Sequence, residues 1–80
     1  MEGTLTQVEC RGNLLLLTVR TDKGATVRLR VPEAKNLVVM SRKEENLGCG
    51  AMDRRVLINY LAQPDAKTKT AGVAANVDLQ

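Results

Sequence analysis

Two cysteines and three arginines are the residues of this chain whose types and spacing invite chemistry. Cys10 and Cys49 are its only cysteines, and it has no histidine. A Cys/His zinc site built from one chain would therefore lack ligands, and the spacing is far too long for a thioredoxin-like redox pair. Two readings stand for the pair. One is two separate thiols. The other is a disulfide joining the end of the first strand to the loop before the fifth, worth roughly 4 kcal/mol by chain entropy and suited to an oxidising compartment. Arg20, Arg28 and Arg30 are expected on the outer face of one hairpin, with Thr18 and Thr26 between them. Guanidinium groups match phosphate oxygens, so these three arginines are candidates for a polyanion-binding face. The plainer reading is a solvated sheet face whose charges oppose edge aggregation.

Catalysis has little to draw on. Ser41 is the only serine. Glu44 and Glu45 sit beside Arg42 and Lys43, and Asp53 beside Arg54 and Arg55, as solvated loop charges do. No acidic spacing suggests a convergent pair. Gly48-Cys49-Gly50 lacks the Gly-Lys-Ser/Thr continuation of a phosphate loop. No enzyme activity, cofactor or metal is expected. Tyr60 is the only aromatic residue; it alternates with Val56 and Ile58 and is expected in the core with its hydroxyl at the rim, rather than as a stacking platform for bases.

The elements that position these residues read as strands. Gly3 to Cys10 is rich in Thr and Val; Leu5 and Val8 share a face only if a β-bulge lies between them. Arg11-Gly12-Asn13 is a turn, followed by a strand from Leu14 to Arg20. A three-residue loop, Asp22-Lys23-Gly24, with Gly24 left-handed, leads to a third strand, Ala25 to Val31. This register pairs Val19 with Val27, Leu17 with Leu29 and Leu15 with Val31 on an aliphatic face. Arg20 then pairs with Thr26, Thr18 with Arg28 and Leu16 with Arg30 on a polar one. Agreement of turn chemistry with face polarity marks a real hairpin. Pro32 ends the third strand, and Pro32 to Lys35 is expected to form one helical turn. Leu37 to Met40 is a short fourth strand. Ser41 and Glu44 match a capping box for a helix of at most two turns ending at Gly48, with a charged loop as the equal alternative.

Arg54 to Leu61 is the fifth strand. Gln63 to Thr70 is a polar surface loop. Gly72 to Leu79 is the last strand, with Val73, Ala75, Val77 and Leu79 expected on one face. Both end segments begin with a glycine five residues before a valine, and they are expected to be neighbours where the sheet closes. The fold class is all-β: a small antiparallel barrel of five or six strands, of the oligonucleotide/oligosaccharide-binding (OB-like) or SH3-like type, with at most one or two short helical turns.

Composition agrees. Eighty residues make one domain, small enough to gain from a staple such as a disulfide or a partner. The core must be aliphatic, for there is no Phe or Trp. A net charge of +3 is modest for a dedicated polyanion binder. The longest apolar run, Leu14 to Leu17, is far short of the roughly 20 residues of a spanning helix, so no membrane insertion is expected. The start, Met1-Glu2-Gly3, is not a secretory signal, and the chain is expected to be a piece of a longer protein.

Assembled, the segments form a pattern: Gly3-x-Leu5-x-x-Val8-x-Cys10, then Cys49-Gly50, Val56-x-Ile58-x-Tyr60, Pro64, Lys67, Thr70-x-Gly72 and Val77-x-Leu79. It resembles an uncharacterised small β-domain at the C-terminus of bacterial, particularly acidobacterial, proteins that often carry tetratricopeptide repeats. The resemblance covers most of the chain. It implies no catalytic residues, an accessory module on a repeat-containing interaction protein, and Cys10 close to Cys49, with a periplasmic or cell-envelope location to match. A non-catalytic accessory or protein-interaction module is thus the expected function, its partner another domain, another protein or a second copy. The motive is the Leu14–Leu17 run, which puts leucines on both faces of the second strand and leaves one side needing cover. The alternative, from another class, is nucleic-acid binding on an OB-like barrel through the Arg20, Arg28 and Arg30 face.

Overall fold

The computed structural model describes residues 1–41 and 47–80. Among the described residues six strands run in chain order: β1 (Glu2–Arg11), β2 (Leu14–Thr21), β3 (Thr26–Val31), β4 (Val38–Ser41), β5 (Gly50–Leu61) and β6 (Gly72–Leu79). A 3-10 turn, Ala34–Asn36, lies between β3 and β4. It starts beyond Pro32, because Glu33 is extended and leads the chain into the turn. Ser41 ends β4 as a strand residue, while Glu44, its partner in the capping box, and the helix that box would open lie outside the described residues.

The sheet order is β3-β2-β1-β5-β6-β4, and β6 also pairs with β3, so five strands close into a ring with β4 added to the outside of β6. The β2–β3 hairpin has the register that its turn and face polarity require, including Val19 with Val27, Leu17 with Leu29 and Leu16 with Arg30. Gly24 takes a φ of 84°, a backbone that L side chains rarely adopt. The bulge expected between Leu5 and Val8 is present: register shifts between Leu5 and Gln7 against both β2 and β5. It lets Leu5 and Val8 both face inward, where they are 0% and 1% exposed.

Three expectations are corrected. The terminal strands β1 and β6 are not neighbours; β5 lies between them, and β6 closes the ring against β3 in parallel, through Leu29–Gly72 and Arg30–Val73. The inward face of β6 is not Val73, Ala75, Val77 and Leu79. A register shift opposite Asn59 and Tyr60 leaves Ala75 as the extra residue, so Ala74, Val77 and Leu79 are buried while Ala75 is exposed. Tyr60 is not a core residue. It is 40% exposed, and its ring lies over Gly72, whose missing Cβ would sit 3.0 Å from the Tyr60 Cδ2. It occupies the end of the barrel where β5 passes the start of β6.

The interior is wholly aliphatic, with Leu5, Leu17, Val19, Leu29, Val56, Ile58 and Val77 all at 0% exposure. The Cα radius of gyration is 11.4 Å, against about 11.6 Å for a well-packed domain of this length, so branched aliphatic side chains fill the barrel without an aromatic. Among the described residues no buried side-chain nitrogen or oxygen lacks a hydrogen-bond partner.

Candidate functional site

The β2–β3 hairpin carries its polar residues outward, and the strand alternation places Thr18, Arg20, Thr26, Arg28 and Arg30 on one face with Leu16. β1 extends that face, since Glu9 pairs with Leu16 and Gln7 with Thr18. All three sequence-predicted arginines therefore share a surface, but they differ in what they do there. The Arg28 guanidinium donates from Nη1 to the Thr68 carbonyl at 3.2 Å and faces the Glu9 carboxylate at 3.8 Å. Arg30 donates from Nη1 to the Gln63 carbonyl at 2.6 Å and to the Thr70 hydroxyl at 2.9 Å. Arg20 is exposed and has no partner among the described residues. Two of the three donors are thus turned onto the protein's own 62–71 loop.

That loop is a built object. Asp65 and Thr70 exchange two backbone hydrogen bonds, of 3.0 and 3.1 Å. Inside this closed turn the Asp65 carboxylate accepts from the Lys67 N–H and the Thr68 hydroxyl, each at 3.1 Å. The Thr68 and Thr70 hydroxyls lie 2.9 Å apart, and Thr70 is 5% exposed. The Lys-Thr-Lys-Thr alternation turns both threonines in and leaves Lys67 and Lys69 exposed. Ala71 donates to the Arg28 carbonyl at 2.7 Å, so the loop is seated on β3 from both ends.

Leu16 lies on this polar face yet is 1% exposed and stands apart from the interior cluster. Its cross-strand neighbours are Glu9 and Arg30, and the stems of such long side chains cover apolar surface. The leucine run on β2 therefore finds its cover within the chain. The apolar surface without cover lies elsewhere: Val38, Met40 and Leu61 are 56%, 44% and 59% exposed. Neither β4 nor the end of β5 stood out in the sequence for this, because exposure there depends on which strand ends the sheet.

Cys10 and Cys49 form a disulfide with a Cα–Cα distance of 5.8 Å, inside the usual range for such bridges. It ties the end of β1 to the residue before β5, next to the Val8–Gly50 pair. Among the described residues no three His, Cys, Asp or Glu side chains gather as a metal would need, and no helix is long and apolar enough to cross a membrane.

The hydrogen bonds to Asp65 hold its carboxyl below the ordinary aspartate value of 3.8, the Lys67 N–H contributing most and the Thr68 hydroxyl next. A carboxyl depressed by folding contributes stability above its unfolded pKa and loses that contribution as pH falls through the folded value. The loop is therefore expected to loosen below about pH 4. Asp22, held low by Arg55, titrates in the same window, so the test is differential. Asp65→Asn is expected to lower the protection of the Lys67 and Thr70 amides, measured relative to the unfolded chain at the same pH, already at neutral pH and to remove its further fall on acidification. An unchanged acid response in the variant would assign the transition to Asp22 instead.

The chain matches no protein-family model, no curated protein and no solved structure, so its folded surface stands as the guide to what it does.

Proposed function

We propose that this domain is a non-catalytic interaction module of a larger protein, and that it docks through β4 and the outer face beside it, with a second copy as occupant. The observation that carries this is that β4 stands last in the sheet order, with no strand on its other side among the described residues. Among the described residues the strand pairs only with β6, in parallel, from Val38–Asn76 to Ser41–Leu79. Native edges are normally protected by charge, proline or a bulge, and Val38–Ser41 has none of these. Its exposed residues continue a mixed surface across the sheet. Val38 lies in register with Asn76 and Asn59, whose side chains are hydrogen-bonded at 2.9 Å, and Met40 lies in register with Asp78 and Leu57.

Antiparallel pairing of β4 with β4 about a two-fold axis is self-complementary and extends the sheet across both copies through main-chain hydrogen bonds at Val38 to Met40. A stable interface buries about 800 Å² per partner. The whole surface here is 5091 Å², and a four-residue edge with three strands of face supplies only part of that amount. The dimer is therefore weak and concentration-dependent. Sedimentation velocity from micromolar to millimolar concentration is expected to show reversible dimerisation, reduced at least tenfold by Val38→Lys. A monomer throughout that range, unaltered by the substitution, would sink the reading.

The resemblance to an accessory β-domain of repeat-containing bacterial proteins supports the same role, and the disulfide fits an oxidising compartment. Of the two barrel types expected, the OB-like one is favoured by the ring order β1-β2-β3-β6-β5 with β6 parallel to β3. That barrel type binds ligands on the face of its second and third strands, which gives the nucleic-acid alternative its own surface.

A further inference from the structure

We propose that the 62–71 loop is the main part of a phosphate-binding face, in which Lys67, Lys69 and Arg20 contact a duplex nucleic-acid backbone while Arg28 and Arg30 only hold the loop in place. The reading begins with charge distribution. The outer hairpin face carries Arg11, Arg20, Arg28 and Arg30, and the latched loop adds Lys67 and Lys69 beside β3. Against these six cations stand the carboxylates of Glu9 and Asp65. Arg55, in the row beside Arg20 across Thr4, is matched by Asp22 and Glu2, which leaves the face a surplus of three, equal to the +3 of the entire chain, and with it a field to steer an anion.

The division of labour follows from partners. Arg11 is paired with Glu9 at 3.0 Å. Arg28 is shared between Glu9 and the Thr68 carbonyl, and Arg30 is committed to Gln63 and Thr70. Lys67, Lys69 and Arg20 are exposed and make no ion pair among the described residues. The lysines are held, however, because the threonines alternating with them are fixed from inside the turn. Lys69 takes a φ of 55°, the left-handed backbone that a closed turn requires and that a lysine adopts at a cost. A loop built and latched this way presents its cations without having to order on contact.

The class of polyanion follows from what the face lacks. Single-strand binders stack bases on exposed aromatic rings. The one aromatic ring here, Tyr60, lies over Gly72 at the barrel end. A face with cations and hydroxyls but no ring reads backbone and not bases, and a duplex presents its phosphates outward in a regular array.

The test is titration of the 80-residue chain with a short mixed-sequence DNA duplex, the matching single strand and a sulfated polysaccharide at increasing salt. Three phosphate contacts give a log–log salt slope of about −2.7, so a tenfold rise in salt is expected to weaken duplex binding about 500-fold. The double variant Lys67→Gln/Lys69→Gln is expected to make the slope shallower by about 2. Arg30→Ala is expected to weaken binding in the wild-type background and to change nothing in the double variant, since it acts through the loop. A further loss there would make Arg30 a contact residue and overturn the assigned roles. Absence of duplex binding at low salt, an unchanged slope in the double variant, or tighter binding of the single strand or the polysaccharide would each overturn the proposal.

Discussion

Replacing Cys10 and Cys49 together by serine is expected to lower the stability of this domain by about 4 kcal/mol. The bridge closes a sequence separation of 39 residues, and in the chain-entropy model that closure removes freedom from the unfolded chain more than it adds contacts to the folded one. The size of the effect matters because the total is small. A domain of 80 residues has a stability of roughly 4–12 kcal/mol, and this one has no aromatic side chain in its core to add to it. The loss corresponds to a fall in melting temperature of about 20 °C. Urea unfolding of the double variant checks the value, and the wild type unfolded with a reductant present should reproduce it. The bridged ends are already held by the β1–β5 ladder near the Val8–Gly50 pair. A loss below about 1 kcal/mol would show that this ladder alone constrains them and that the bridge is dispensable for folding.

Gly72→Ala is expected to be the most damaging single methyl group added to the chain, at about 3 kcal/mol. Its backbone is ordinary, so the penalty is steric. An ideal Cβ at Gly72 would overlap the Leu61 carbonyl oxygen and lie 3.1 Å from the Leu61 carbonyl carbon. Backbone atoms cannot swing aside as a side-chain tip can. The Leu61 oxygen also accepts from Gln63 N–H at 2.9 Å, which fixes the start of the loop. Gly72 is one of two β6 residues that close the ring against β3, so displacing it opens the closure and unseats the loop together. Gly48→Ala is the control, for a Cβ there meets nothing within 4 Å and should change stability by less than about 0.5 kcal/mol. Amide exchange at Val73, measured with urea unfolding, separates local opening from global loss. If Gly72→Ala costs no more than Gly48→Ala, the approach of β6 to Leu61 is looser than described and closure does not depend on it.

Gly72 and its counterpart Gly3 show how far residue pattern reaches. Gly3 and Gly72 open the two end segments that resemble each other, and both are placed where a neighbouring strand passes close. A Cβ on Gly3 would lie 2.6 Å from the Arg20 carbonyl oxygen. The pattern marks two strands that begin under the same steric demand. It does not make them neighbours, because each meets its demand against a different strand: β1 against β2, β6 against the end of β5.

Local chemistry determined the β2–β3 register, the left-handed Gly24, the bulge between Leu5 and Val8 and the all-aliphatic interior. Each depends on residues close in sequence or on alternation along one strand. The arginine face was legible for the same reason, since strand parity alone puts Arg20, Arg28 and Arg30 on one side. Tertiary structure decided which of its arginines are committed to partners. The partners that commit Arg28 and Arg30, Thr68 and Gln63, lie 40 and 33 residues away, and nothing in the spacing announces them. The same holds for the lysines that the loop brings to the face, for Tyr60 at the rim and for β4 as the last strand in the sheet order. All four follow from β6 closing on β3 in parallel with one extra residue at Ala75. A closure of that kind is selected by the fit of whole strands around an interior, so no single segment records it.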